Sequence, residues 1–313
     1  MSSVIGWLAA KWHGTHEWAK AFVLALLILL VLHVFVVRWV LVESTSMYNT
    51  LRPGDLVLVQ RWPVWTGFER GDIAVFRDPL KDHVPMMRRP LLVKRIVGMP
   101  GDVVELRKGV LYVNGRLLGF DRTTSAYLVR VREPEDAVEL LDRIGLPTSA
   151  IQAGRTAVEV PLNEALAMQV RELPYVISAE PMRAASGAQR HIFPFSQAYP
   201  WNSDDHGPII VPGRGDTVRI DARNLPLYDR LISIYEGHEL GVDRNELLLD
   251  GTPLERYGFE QDYFFVLGDA RHHSADSRYW GFVPEDHLTG RAGLLLWGNG
   301  VGGAQSGRDW TAL

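Results

Sequence analysis

The chain has 313 residues, 47% hydrophobic and 22% charged, enough to bury one large core or two modest ones and with no signature of disorder. A formal net charge of −4 gives none of the basic footprint that a phosphate-backbone binder needs, so nucleic acid is not expected as a partner. The absence of cysteine excludes disulfides, thiolate zinc sites and a cysteine nucleophile, and any catalysis must use another group.

In chain order, residues 1–19 carry Ile5, Trp7, Leu8 and Trp12 in an amphipathic-looking arrangement, expected to be a cytoplasmic segment on a membrane surface. The stretch 21–37 has no Lys, Arg, Asp or Glu, and apolar residues resume after Arg38 through Val42. Since roughly 20 apolar residues cross the hydrocarbon layer, one membrane-spanning helix is expected over 20–42. Lys11 and Lys20 precede the apolar run, and the positive-inside bias then leaves the N-terminus in the cytoplasm and exports the rest. A cleavable signal peptide ending at the small triplet Ser44-Thr45-Ser46 is the competing reading, but the apolar run is longer than the core of such peptides.

From 51 to 120 short β-runs alternate with Gly54-Asp55, Gly71-Asp72 and Gly101-Asp102 turns, and Asn114-Gly115 is a hairpin signal. Residues 121–258 change texture: Ala137, Leu140, Leu141 and Ile144 fall at helical spacing over 133–144, and Asn163 is an N-cap for a second helix. The β texture returns at 263–267. The expected fold is mainly β: a β catalytic core over 43–120 and 259–300, an inserted α+β subdomain over 121–258, and a C-terminal tail over 301–313.

Three segments concentrate the chemistry-bearing residues. The first is Ser44-Thr45-Ser46-Met47 through Gly54-Asp55, directly after the apolar run. The second runs from Arg70-Gly71-Asp72-Ile73 to Lys94-Arg95-Ile96-Val97-Gly98-Met99-Pro100-Gly101-Asp102. The third is Gly268-Asp269-Ala270-Arg271-His272-His273-Ser274-Ala275-Asp276-Ser277-Arg278. In order and placement they resemble the sequence boxes of bacterial type I signal peptidases over about 20–120 and 205–292, while 121–204 matches only that family's habit of carrying an insertion there. The resemblance implies a serine endopeptidase of the bacterial cytoplasmic membrane, single-pass, with its catalytic domain on the extracytoplasmic side. Its partners would be exported preproteins with small residues near the cut and the lipid bilayer; no cofactor or metal is implied. Ser46 matches the nucleophile and Lys94 the general base. Ser44 matches a hydroxyl that, with the Ser46 backbone N–H, stabilises the oxyanion, and Ser274 one that orients the lysine. Asp269, Arg271, Asp276 and Arg278 match structural groups near the site. Glu43, Asn49 and Ala270 depart from the family pattern, the first two where proline is usual.

The residues support this chemistry independently. A serine hydroxyl needs a base to remove its proton, and a lysine serves only when neutral. Against a free pKa of about 10.4, Lys94 must be desolvated, and Leu91, Leu92, Val93, Ile96 and Val97 are the neighbours expected to do it. The adjacent His272-His273 invites a metal assignment but lacks the spacing that converges two ligands. A relative dedicated to one substrate, or a silent binder of exported segments, remain the competing functions; retention of Ser44, Ser46, Lys94 and Ser274 together argues against the silent binder.

Overall fold

The computed structural model describes residues 16–31, 35–144, 146, 154–187, 189–244, 246–299 and 307–313. Gly-Asp turns divide the chain into strands, as the sequence predicts. Gly54, Gly71 and Gly101 all adopt positive φ, which a side chain would disfavour. The aspartate that follows each accepts a backbone N–H three residues back: Arg52 to Asp55, Glu69 to Asp72, Met99 to Asp102. Gly215-Asp216 closes the same way on Gly213, so its likeness to the earlier turns is shared turn chemistry.

Between these turns run β1 (Val37–Leu41), β2 (Leu56–Gln60), β3 (Ile73–Arg77), β4 (Leu91–Gly98), β5 (Val103–Arg107), β6 (Val110–Val113) and β7 (Arg116–Leu117). The chain then forms β8 (Ser125–Val131), a helix Pro134–Arg143, β9 (Ala157–Leu162), a helix Glu164–Arg171 and β10 (Val176–Pro181). It continues through β11 (His206–Ile210), β12 (Thr217–Arg219), β13 (Leu240–Asp243), β14 (Glu246–Leu249), β15 (Thr252–Pro253) and β16 (Arg256–Gly258). It ends with β17 (Tyr263–Leu267), β18 (Val283–Pro284), β19 (Leu288–Trp297) and β20 (Thr311–Ala312).

The main sheet has the order β1-β2-β19-β3-β4-β17-β18, with β20 beside β19. Strands β3, β4 and β17 at its centre are the apolar runs 73–77, 91–98 and 263–267; β3 and β17 are buried along their whole length. A second sheet, β11-β5-β6-β7, packs with it around Val97, Val104, Leu106, Ile209, Phe265 and Phe282. A third, β10-β8-β9, has a separate core of Val129, Val160, Leu140, Leu141, Ala167 and Val170, built with its two helices. Those helices follow local signals: Pro134 opens the first, and the Asn163 side chain caps the second by accepting the Leu166 N–H at 2.8 Å.

Three segments differ from expectation. The C-terminal part of the expected anchor is a strand: after the helix Glu17–Val31, residues 37–41 pair antiparallel with β2, Val37 opposite Gln60 and Leu41 opposite Leu56. Val37 and Val40 are β-branched, and β2 supplies the ladder that an isolated window of sequence cannot reveal. Among the described residues no helix is long and apolar enough to cross a membrane; residues 1–15 and 32–34 lie outside them. Second, of the region grouped as an insertion, only 125–181 forms the separate sheet and core, whereas β11 pairs with β5 and Ile209, Leu231 and Tyr257 join the main core. Third, the C-terminal tail ends as β20 on the main sheet, with Leu294 opposite Ala312.

Because the β8-β9-β10 core shares no residue with the others, Leu140→Ala should act locally. Leu140 is fully buried there. Its truncation is expected to destabilise that unit by about 2–5 kcal/mol, read as a lowered first transition in thermal unfolding while the main-sheet transition stays within a degree or two. A uniform shift of one cooperative transition would show that the unit does not unfold separately.

Candidate active site

Ser46 lies in the loop between β1 and β2, a tight run of turns closed by Tyr48 N–H to the Thr45 carbonyl and Leu51 N–H to the Met47 carbonyl. Met47 and Leu51 anchor it by burying completely among Val42, Val57, Ile73 and Val75. Lys94 sits in the middle of β4, opposite Ala74 of β3, a small neighbour. The two meet: Lys94 Nζ is 2.7 Å from Ser46 Oγ, with Ser46 6% and Lys94 3% exposed. Nζ also donates to the Val93 carbonyl at 3.1 Å. Among the described residues, the side chains in hydrogen-bond contact with Ser46 Oγ are those of Lys94 and Ser44, the latter with Oγ at 3.2 Å.

Burial pushes the Lys94 ammonium down to about 8, against a partial upward pull from the carboxylates of Asp276 and Asp78. A lysine at that value is partly neutral at neutral pH, so its nitrogen has a lone pair available to the hydroxyl it touches.

The third segment packs over this pair. Gly268, at the end of β17, faces Ser274 and Ser46 so closely that an added Cβ would stand 2.2 Å from Ser274 Oγ and 2.6 Å from the Ser46 carbonyl oxygen. Glycine is the residue that fits. Ala270 N–H donates to that same carbonyl at 3.0 Å, and Asp269 N–H approaches the Met47 sulfur at 3.4 Å. Asp276 accepts the Gly268 N–H at 3.0 Å and receives Arg278 through Nε at 2.8 Å and Nη2 at 2.9 Å. Both members of this pair are buried; burial alone would raise the Asp276 carboxyl, but Arg278 holds it below its usual range. Arg271, also buried, has its guanidinium pushed down to about 10 by desolvation and by Arg278.

Ser274 is brought to the site, but its Oγ is buried without a well-formed hydrogen bond to Lys94 or any other atom, although it is close enough to Asp276 to help hold that carboxyl down. Sequence reasoning missed two residues. Arg95, to which no role was assigned from the sequence, grips Asp269 with two bonds of 2.8 and 2.6 Å and donates to the Gly71 carbonyl at 2.7 Å, joining the second and third segments. Thr50 donates its hydroxyl to Asp269 from the loop that carries Ser46. The signal for Arg95 was its strand position: side chains alternate along β4, so if Lys94 faces the serine, Arg95 faces the other way. Of the departures from the family pattern, Glu43 is exposed, Asn49 donates to the Arg122 carbonyl at 2.9 Å, and Ala270 is buried. His272 meets Asp204 and His273 meets Glu159, at 3.0 and 3.3 Å.

Known proteins are similar to this chain in sequence. Signal peptidase I of Bacillus licheniformis is 33% identical over 130 residues, 41% of this chain and 63% of that protein. Signal peptidase I S of Bacillus subtilis is 40% identical over 101 residues, 32% of this chain and 50% of that one. The chain thus spans about half to just under two thirds of the length of these relatives. A crystal structure of a signal peptidase I from Enterococcus faecalis aligns over 72% of this chain and 96% of its own at 16% identity, with a TM-score of 0.27. The sequence profile of the family described as signal peptidase, peptidase S26, matches residues 15–169 and 210–297, more than half of the chain, and the chain belongs to that family.

Proposed function

We propose that the protein is a membrane-bound serine endopeptidase that cleaves signal peptides from exported preproteins, with Ser46 as nucleophile and neutral Lys94 as general base. The observation that carries this reading is the 2.7 Å contact between two buried groups, one of them a lysine whose ammonium is destabilised by burial. In the reaction, Lys94 Nζ takes the Ser46 hydroxyl proton as Oγ bonds to the scissile carbonyl carbon. The carbonyl oxygen becomes an oxyanion, for which the Ser46 N–H and the Ser44 hydroxyl are the donors. Protonated Lys94 then gives its proton to the leaving amine as the peptide bond breaks. A water, deprotonated by the same nitrogen, hydrolyses the acyl-serine and restores both groups. Ser274, whose buried Oγ lies beside Gly268 and near Asp276, is assigned the orientation of Lys94.

The bilayer enters the proposal through two features. The helix Glu17–Val31 carries Phe22, Leu26, Leu29 and Leu30, each more than half exposed, a surface suited to lipid. The register of the main sheet also places Leu41, Leu56 and Trp297 in one cross-strand row and Trp39, Leu58 and Leu294 in the next. Trp39, Leu41 and Trp297 are 60%, 56% and 56% exposed, an apolar face suited to seat the sheet against a membrane on the extracytoplasmic side. We assign the protein to the bacterial cytoplasmic membrane as a single-pass enzyme whose substrate lies extended beside the site, with small side chains near the cut.

Cleavage of a generic preprotein by the purified chain should be lost in Ser46→Ala. Lys94→Arg keeps the charge but cannot deprotonate at working pH, and it should lower kcat by about 10²–10⁴-fold. Near-wild-type cleavage by folded Lys94→Arg would reject the lysine base. In the wild type, kcat/KM should rise with pH through a limb near the depressed Lys94 value of about 8, because the proton-free form is the active one. A limb near 6.5 would point to histidine instead.

The same shift predicts a stability effect. The folded-state value lies below the unfolded one, so the unfolded chain binds more protons between about pH 8 and 10.5, and stability rises with pH across that window. Below it the full desolvation penalty applies, up to about 3 kcal/mol. Lys94→Met should therefore be inactive yet more stable than wild type at pH 7, with the difference shrinking toward pH 10.5. Thermal unfolding at the two pH values checks this; a variant equally destabilised at both would refute it.

A further inference from the structure

The separate sheet contributes no catalytic group, yet its first strand is joined to the nucleophile through backbone hydrogen bonds. Thr124, at the entry to β8, forms a parallel bridge with Ala270: Thr124 N–H donates to the Asp269 carbonyl at 2.8 Å and Arg271 N–H to the Thr124 carbonyl at 2.9 Å. Between those two bonds, Ala270 N–H holds the Ser46 carbonyl. The placement of the serine is thus continuous with the placement of β8.

His272 secures that junction. Its Nδ1 lies 3.1 Å from the Ala126 backbone N–H, on β8, and its Nε2 lies 3.0 Å from Asp204 Oδ1. A backbone amide only donates, so Nδ1 accepts and the ring proton sits on Nε2, facing the carboxylate. Asp204 is buried, and its second oxygen accepts the Ala184 N–H at 2.7 Å. One imidazole therefore ties the outgoing strand of the excursion, at Ala126, and its return, at Asp204, to the segment that holds Ser46.

We propose that His272 is a positioning residue for the nucleophile: by fixing β8 and the Asp204 loop against 269–272, it keeps the Ala270 N–H on the Ser46 carbonyl and so aligns Ser46 N–H and Oγ with Lys94. This rests on the Ser46/Lys94 reading above. It also gives the inserted sheet a function, as a brace whose removal would loosen the site without removing a reacting group. The alignment matters because displacements of about 1 Å at a reacting centre cost up to about 10²-fold in rate.

The test measures kcat and KM for preprotein cleavage by the full-length protein in detergent, with His272→Ala, His272→Asn and His272→Gln. Asparagine places an oxygen near the position of Nδ1 and can accept from Ala126; glutamine instead reaches toward Asp204. His272→Ala should lower kcat about tenfold at unchanged KM, and His272→Asn should restore it to within about twofold. Unchanged kcat in His272→Ala, a loss confined to KM, or equal impairment in the alanine and asparagine variants would each overturn the proposal. If the alanine variant does not fold, the remaining pair decides: asparagine must exceed glutamine in kcat, and equality or the reverse order rejects the role. Wild-type protein that cleaves no better than Ser46→Ala would sink the Ser46/Lys94 reading and this proposal together, whereas active wild type with an unaffected His272→Ala sinks this proposal alone.

Discussion

A lysine nitrogen held in the interior is the constraint on which the surrounding structure depends. Burying an ammonium is costly unless it is paired, so such a site either neutralises the group or supplies it with a carboxylate. Both solutions occur on adjacent residues of β4. Lys94 meets a serine hydroxyl and a backbone carbonyl, neither of which carries a full charge, and its proton affinity falls. Arg95 is met by both oxygens of Asp269. The alternation of side chains along a strand keeps the two cations apart. If both faced the same side, Asp269 would sit beside Lys94 and raise the affinity that burial lowers.

The carboxylate nearest the lysine in effect is Asp276, and it works against the chemistry: its charge raises the Lys94 value. Its structural duties explain why it is tolerable. It accepts the Gly268 N–H, it caps the short helix Ser277–Trp280 by accepting from the Arg278 N–H, and it holds the Arg278 guanidinium, which also reaches the carbonyls of Ser203 and Arg271. A buried pair of this kind contributes little net stability over apolar packing, but loss of one member leaves an uncompensated charge, at a typical cost of about 3–5 kcal/mol. The pair is therefore better understood as fixing the path of residues 268–278 than as an energy source.

What was legible in the sequence was local. The Gly-Asp turns declare themselves because a residue without Cβ takes the positive φ at no steric cost and a short carboxylate reaches the N–H three residues back. Asn114 and Gly115 take φ of 52° and 74° at the β6-β7 hairpin, as that dipeptide predicts. Ser46 and Lys94, 48 positions apart, were singled out because each segment carries its own pattern, and the structure brings the two side chains into contact. Pairings between distant segments were not legible. Nothing in Val37–Leu41 announces that it will be a strand, since its partner is β2; nothing in 206–210 announces β5. Within 121–258, composition marks where β texture stops, but only long-range hydrogen bonds show that 125–181 has a core of its own while β11 joins β5. The tie of Arg308 to the Thr50 carbonyl and to Asp55, which attaches the C-terminal tail to the Ser46 loop, is equally invisible in the sequence.

These long-range ties converge on one short loop. Residues 42–55 are held at Val42 and Gly54 by each other, at Ser46 by Ala270, at Thr50 by Asp269 and Arg308, and at Asp55 by Asn299 and Arg308. The partners come from separate parts of the chain, the third segment, the residues just after β19 and the C-terminal tail, and Asn49 adds a bond to Arg122 at the threshold of the inserted sheet. Where a proline at position 49 would stiffen the loop from within, this chain restrains it from outside, because an asparagine amide can reach a carbonyl that a proline ring cannot. The geometry of the Ser46–Lys94 contact then depends less on the intrinsic stiffness of its own loop than on bonds of nearly fixed length to a folded surround. That is how a flexible stretch between two strands can present a hydroxyl to an amine at 2.7 Å.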